Sequence, residues 1–470
     1  VTRLSPRDAV FVYDETDRHL SNIAAFYVFG AESGEALAPA EISGWLRARL
    51  GYAAFLNRRL RRVWGDLELP RWEVDPGFSV DDHLGFEAPG DWPAARARIA
   101  AIAATRLDLD RPPWRIQVLT GVRGVPGVRG AATIVVLLLH HCAGDGIATR
   151  ELESRLFARP ELPVSARRGA AGRTLPAPLV AARIAGSAGL GALRFADGLR
   201  RSKAAAGEVR ARAASGDLHE PRASRPATRF NRATAGTPIF DMVTLPLADV
   251  RALRAGHPER VTVNDILLST VAGALSAYLA ERGERPAGSL AAMVPLSTRP
   301  VADWDSANRI AQMFVDLHTD IDDPVLRLRA VAESARREKR RGTDPAVLRR
   351  EARVETAPPW LLRLAGWART QRDFTAGETI PYANTTISNV PPVADALELC
   401  GAPLIRAQGV LPPLDGDALR HLISSQGGEL VITFSSYDAI LPDPAHYADL
   451  LRASFDELAA AIATRGTAPA

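Results

Sequence analysis

The stretch Thr133 to His141, TIVVLLLHH, constrains this chain more than any other. Seven apolar or β-branched residues in a row leave no polar face for water. A strand alternates its side chains between two faces, so a run like this needs cover on both sides. It reads as a buried strand at the centre of a layered domain. The strand Trp114 to Gly121 (WRIQVLTG) precedes it, and the glycine-rich VRGVPGVRG between them reads as a hairpin loop.

Helical and strand patterns interleave on both sides of this pair. Ala40 to Arg62 and Ala94 to Leu107 read as helices. Ile239 to Leu247 reads as a strand, and a short helix opens at Leu247. An Ala/Leu-rich helix covers Ile266 to Leu279, with Asn264 or Asp265 as its N-cap. Strands are expected at Ala291–Leu296, Ile310–His318 and Glu429–Tyr437, and helices at Asp323–Arg341 and Pro444–Thr464. The fold class is therefore α/β or α+β with two sheets. A composition shift sets three segments: 1–165, a basic and partly helical connector at 166–235, and 236–470. The connector carries fourteen Arg or Lys against four Asp or Glu from Arg167 to Arg232. It is either a solvated linker or a basic surface that rests on anionic lipid.

Composition excludes several classes. With 470 residues and 47% apolar content, the chain can bury a large core. Its two cysteines, Cys142 and Cys400, make no disulfide framework. A net charge of +4 is too small to point to nucleic acid. There is no CxxC or HExxH zinc pattern and no phosphate-binding glycine loop, so no metal or cofactor is expected. The start has no apolar signal core, and no apolar stretch reaches membrane-spanning length. A cytoplasmic protein is expected, attached reversibly to membranes or lipid inclusions.

The chemistry points to the end of the buried strand, at His140-His141-Cys142-Ala143-Gly144-Asp145-Gly146. Consecutive strand residues face opposite ways, so one imidazole can meet a cavity while the other packs inward. An imidazole titrating near neutrality can take a proton from a hydroxyl and return it to a leaving group. The plainer alternative is a hydrogen-bonded core histidine beside an ordinary Asp-Gly turn.

The HHxxxDG pattern resembles the signature of CoA-dependent acyltransferases. The chain as a whole resembles the bacterial wax ester synthase/diacylglycerol acyltransferases. Leu4-Ser5-Pro6-Arg7-Asp8-Ala9, with Phe11, resembles that family's LSPxDAxF opening. Leu109 to Trp114 (LDRPPW) resembles LDRxxPLW, and Asn264-Asp265 heads a segment like NDxxL. Val294 to Arg299 (VPLSTR) resembles VPxSxR, and Thr386 to Pro391 (TISNVP) resembles TxSNVPGP. Three departures stand out: Pro113 for the family's leucine, Pro392 for the glycine after SNVP, and Ala307-Asn308 for Gly-Asn.

The resemblance implies two chloramphenicol-acetyltransferase-like domains with mixed sheets and a tunnel between them. It makes His141 the general base and His140 its support. Asp145 becomes structural, paired with an arginine for which Arg299 is the candidate, and Gly146 allows the turn beside the tunnel. Asn264 either donates to the oxyanion or caps its helix, and Asp265 is a structural cap. Trp114 is a core aromatic or a substrate wall. Ser388 and Asn389 line the tunnel or form a turn. Acyl-CoA would be the donor, and diacylglycerol or a long-chain alcohol the acceptor. The rival readings are an acyltransferase for a polyketide, sugar or peptide hydroxyl, with a CoA or carrier-protein donor, and a lipid-binding protein without catalysis.

Overall fold

The computed structural model describes residues 2–31, 33–50, 54–144, 146–158, 177–257, 259–298, 308, 310–374, 378–392 and 396–466. Two six-stranded mixed sheets flanked by helices confirm the expected α/β class. The first half supplies strands β1 (Asn22–Gly30), β2 (Leu84–Glu87), β3 (Trp114–Arg123) and β4 (Ala131–His140). The second half supplies β5 (Pro238–Pro246), β6 (Ala291–Ser297), β7 (Ile310–Asp316), β8 (Thr385–Asn389), β9 (Glu398–Leu399), β10 (Ala402–Val410), β11 (Arg420–Gln426) and β12 (Glu429–Tyr437). The first sheet runs β9-β10-β1-β4-β3-β2 and the second β7-β6-β8-β11-β12-β5.

The apolar run occupies β4, and all ten of its residues are buried. Val135, Leu137 and Leu139 face one layer with Tyr27 and Trp114. That layer is closed by two helices, Pro39–Leu50 through Ile42 and Leu46, and Gly146–Phe157 through Leu152 and Leu156. Ile134, Val136 and Leu138 face the other layer, against Ile99 and Ala100 of the helix Trp92–Ala103 and against Phe240 of β5. Period-two alternation thus serves two cores at once. Full burial of each such aliphatic side chain contributes about 1.5–3 kcal/mol. The β3–β4 connection is the expected hairpin, and Gly124, Gly127 and Gly130 in it all take positive φ, where a Cβ would be strained.

Sheet membership cuts across the chain. Strands β9 and β10 lie beyond residue 397, yet β10 pairs antiparallel with β1, Val410 opposite Ala24. The first sheet is therefore completed by the second half.

Several local expectations change. The helix expected over Ala40–Arg62 ends at Leu50, and Arg58–Arg61 is instead a strand paired with Arg71–Val74. There Leu60 is buried while Arg59 reaches Glu73 at 2.9 Å, an alternation that only a strand satisfies. Neither Asn264 nor Asp265 is the N-cap of the helix Val263–Glu281. Thr262 is, and Asp265 closes a capping box by accepting the Thr262 N–H at 2.8 Å. That helix is the one among the described residues long and apolar enough to cross a membrane. It is a core helix here, with 72% of its apolar window buried. Within the basic connector, residues Ala177–Ala214 form one helix of 38 residues.

Candidate active site

The site is organised by α1 (Pro6–Asp14). Ser5 caps it, accepting the Asp8 N–H at 3.0 Å, and Pro6 takes the first turn, where its missing N–H costs nothing. The Ser5 hydroxyl donates to Asp8 Oδ2 at 2.7 Å. The other oxygen, Oδ1, accepts both the backbone N–H of Asn308 at 3.2 Å and its side-chain Nδ2–H at 2.8 Å. So the LSPxDA segment builds a helix start whose carboxylate holds an asparagine from the second half. Phe11, one turn further on, stacks on the His141 ring with centroids 4.8 Å apart and planes within 15°.

The two histidines part company where β4 ends. The His140 N–H donates to Pro113 O at 2.9 Å, and the His141 N–H to Ser21 O at 2.8 Å. His140 is wholly buried. Its Nδ1 accepts the Cys142 N–H at 3.1 Å, which places its proton on Nε2, 3.4 Å from Glu15 Oε1. Burial opposes ionisation of Glu15, but His140, Arg106 and the Ser21 N–H outweigh it and hold the carboxyl below its usual range. His140 is thus held at Nδ1, while its Nε2 faces Glu15 at long range without a well-aligned hydrogen bond.

His141 opens a 3-10 turn, His141–Ala143, and is partly exposed. Asn308, itself buried, donates Nδ2–H to His141 O at 2.6 Å and to Asp8 Oδ1. Those two bonds fix which end of the amide is nitrogen. The carbonyl Oδ1 must then face His141 Nδ1, 3.4 Å away, as acceptor of its N–H. The lone pair of the neutral ring is left on Nε2. Helix α1 therefore reaches His141 from its first turn through Asp8 and Asn308, and reaches His140 from its C-cap, Glu15.

The remaining expected residues are dispersed. Asp145 and its candidate partner Arg299 lie outside the described residues, and Gly146 begins the helix Gly146–Phe157. Trp114 sits in the core, its indole N–H donated to Leu56 O at 2.8 Å and its ring stacked on His83. Asn264 is half-buried in the first turn of its helix, and Asp265 is committed to the capping box. Ser388 and Asn389 end β8 as strand residues, opposite Leu422 and Ile423, with Asn389 exposed. Cys142 follows the histidines, but burial and then the nearby Asp8 and Glu15 carboxylates push its thiol well up, which suppresses the thiolate. Sequence reasoning gave no role to Glu15, and it noted Asp8 and Asn308 only as motif letters.

Two family models match most of the chain. The wax ester synthase/diacylglycerol acyltransferase catalytic domain matches residues 4–267, and the C-terminal domain of the same family matches residues 306–459. A Mycobacterium bovis protein, assigned by its name provisionally to the diacylglycerol O-acyltransferases, is 26% identical over 97% of this chain and 96% of its own length. The wax ester synthase/diacylglycerol acyltransferase of Marinobacter aquaeolei superposes with a TM-score of 0.64 at 20% identity, covering 98% of this chain and all of the other. The starter condensation domain of rhizomide synthetase, solved with C8-CoA, superposes with a TM-score of 0.50 at 15% identity, covering 98% of this chain and 94% of the other. The chain belongs to the wax ester synthase/diacylglycerol acyltransferase family and is an acyltransferase.

Proposed function

We propose that this acyltransferase moves a fatty acyl group from acyl-CoA to a hydroxyl acceptor, diacylglycerol or a long-chain alcohol, with His141 as general base. The observation that carries this is the Asn308 contact, which leaves the basic lone pair on His141 Nε2. Nε2 takes the proton of the acceptor hydroxyl as its oxygen attacks the thioester carbonyl. The tetrahedral intermediate collapses with loss of the CoA thiolate, and Nε2–H returns the proton to that sulfur. The alcohol proton thus ends on CoA, and the ester is the second product.

The stack on Phe11 and the bond to Asn308 hold the ring in one orientation through both transfers. Direct transfer in a ternary complex is favoured over an acyl-enzyme, because the thiol next to the base is buried and held protonated. The chemistry calls for no metal or bound cofactor, with acyl-CoA as a substrate. The C8-CoA bound by the related condensation domain supports a CoA donor. A tunnel between the halves completes the proposal.

Incubating the purified chain with palmitoyl-CoA and either diolein or hexadecanol tests it. Release of free thiol, dependent on the acceptor and matched by ester, is the expected result. Thiol release only with sugar, polyketide or peptide hydroxyls would overturn the choice of acceptor. Acyl-CoA binding without turnover on any acceptor would overturn the enzyme reading.

A further inference from the structure

The helix Pro359–Thr370 is amphipathic in an unusual sense: its outward face is the apolar one. Its buried side carries Leu362 and Gly366, and Gly366 lies against the Tyr13 carbonyl of α1 so closely that no Cβ fits there. Its outer side presents Trp360, Leu364 and Trp367, which are 57%, 50% and 58% exposed. Spacings of four and three residues put all three on one face. Two tryptophans and a leucine aligned toward water make a contiguous apolar stripe of the kind that marks an interaction site. The helix's own arginines Arg363 and Arg369 are engaged by Asp66 and Asp14, so this helix brings the apolar face rather than free charge.

A second helix brings charge to the same place. The helix Ala177–Ala214 is docked along its later turns, where Ser202 donates to Arg350 O and Val209 packs on Val347. At Gly198 it passes against Thr356, three residues before the tryptophan helix begins. Around that crossing it exposes Leu193 and Leu199 together with Arg194, Arg200, Arg201 and Lys203. Asp197, the one acidic residue from 189 to 203, pairs with both Arg200 and Arg201, so the four cations of this stretch still exceed its acids by three.

We infer that the tryptophan face of the helix Pro359–Thr370 docks on a lipid surface, and that the exposed cations of the adjoining helix give that docking its preference for anionic headgroups. Tryptophan suits the boundary between headgroups and acyl chains, because its ring is apolar with one polar edge. Arginines beside it meet phosphate, and each suitably placed cation strengthens binding to an anionic surface. The apolar stripe alone would suit a second copy of this chain equally well. The surplus of exposed cations argues against that, since two copies would bring like charges together. The docked helix rests on α1, the helix whose Phe11 stacks on His141, so the lipid surface would lie one helix away from the base. The inference is independent of which hydroxyl is acylated.

Flotation of the full chain with phosphatidylcholine vesicles, and with vesicles containing phosphatidylglycerol, tests this without any substrate. The wild type is expected to float with both, and more with the anionic set at low salt. The variant Trp360→Ser/Leu364→Ser/Trp367→Ser should lose at least about tenfold in bound fraction on both. Arg200→Ser/Arg201→Ser should lose only the anionic preference and its salt sensitivity. All five side chains are exposed, so circular dichroism and thermal midpoint should match wild type. If the triple variant misfolds, Trp367→Ser alone provides the same reading with a smaller loss. A wild type that floats with neither vesicle, or apolar variants that float as well as wild type, overturns the inference. So does a triple variant that turns a sedimenting dimer into a monomer with no change in flotation, since the face would then join two copies.

Discussion

The two sheets use histidine in opposite ways. In the second sheet, His421 stands at the start of β11 with its ring wholly buried. Its Nδ1 lies 3.2 Å from Thr385 Oγ1, whose own hydroxyl donates to Leu419 O, and its Nε2 accepts from the Tyr447 hydroxyl at 2.9 Å. Burial pushes its pKa down to about 3. In the first sheet, His140 is buried with Nδ1 bonded and Nε2 set toward Glu15, but His141 lies one residue beyond the strand, where the chain turns. The buried histidine of the second sheet is a neutral structural group. The same residue type one step past the strand end, with one nitrogen held as donor, can exchange protons.

That contrast can be broken most severely at His141. His141→Ala should lower turnover by roughly 10²–10⁴-fold with an unchanged unfolding midpoint. Wild-type turnover at saturating palmitoyl-CoA and acceptor would remove it from the mechanism. Next comes Glu15→Ala, which leaves the buried His140 Nε2–H and the Ser21 N–H without their carboxylate. It should cost about 1–3 kcal/mol in urea denaturation, with turnover lost only as the fold is lost. A stable variant with collapsed turnover would instead make Glu15 part of the chemistry.

The His421 contribution depends on pH, and its sign follows from the depressed folded-state value. The unfolded chain protonates near 6.5 and the folded chain near 3, so the contribution is complete above about 6.5 and is lost as pH falls through about 3. Between pH 7 and 5 the wild type should lose roughly 2 kcal/mol that His421→Gln does not lose, by paired urea titrations. Parallel slopes for the two proteins would mean that His421 titrates normally. The smallest effect belongs to Asn308. Asn308→Ala should lower kcat/KM by about tenfold, the worth of one hydrogen bond. It should also move the acid limb of the pH profile downward, because the imidazolium loses the acceptor of its Nδ1–H. A variant with lower stability but an unmoved acid limb would leave Asn308 a merely structural role.

Much of this was readable before any coordinates. Period-two and period-3.6 patterns placed β3, β4, β12 and the helices Trp92–Ala103 and Pro324–Gly342 within a few residues. The HHxxxDG segment points to the candidate site. What local patterns do not carry is pairing across hundreds of residues. Nothing in YDET marks Glu15 as the partner of His140, because both are made by the fold alone. The arginine-rich run at 58–61 reads as a helix face until Arg71–Val74 is there to pair with it. Local sequence does not single out Thr262 as the cap, because Asn264 and Asp265 follow it with side chains of the same capping type and only the geometry distinguishes them.

The crossing of β10 into the first sheet has a consequence for how the enzyme is made. During synthesis the first half leaves the ribosome with β1 already able to pair with β4, but the other edge of β1 has no neighbour until residues 402–410 follow. An unpaired edge strand is a template for the wrong partner. Asn308 is likewise still to come when His141 emerges. The nascent chain must therefore hold an incomplete sheet and an unoriented base through most of its translation. The proposed base can take its Asn308 contact once residue 308 has emerged, but the first sheet closes only after residues 402–410.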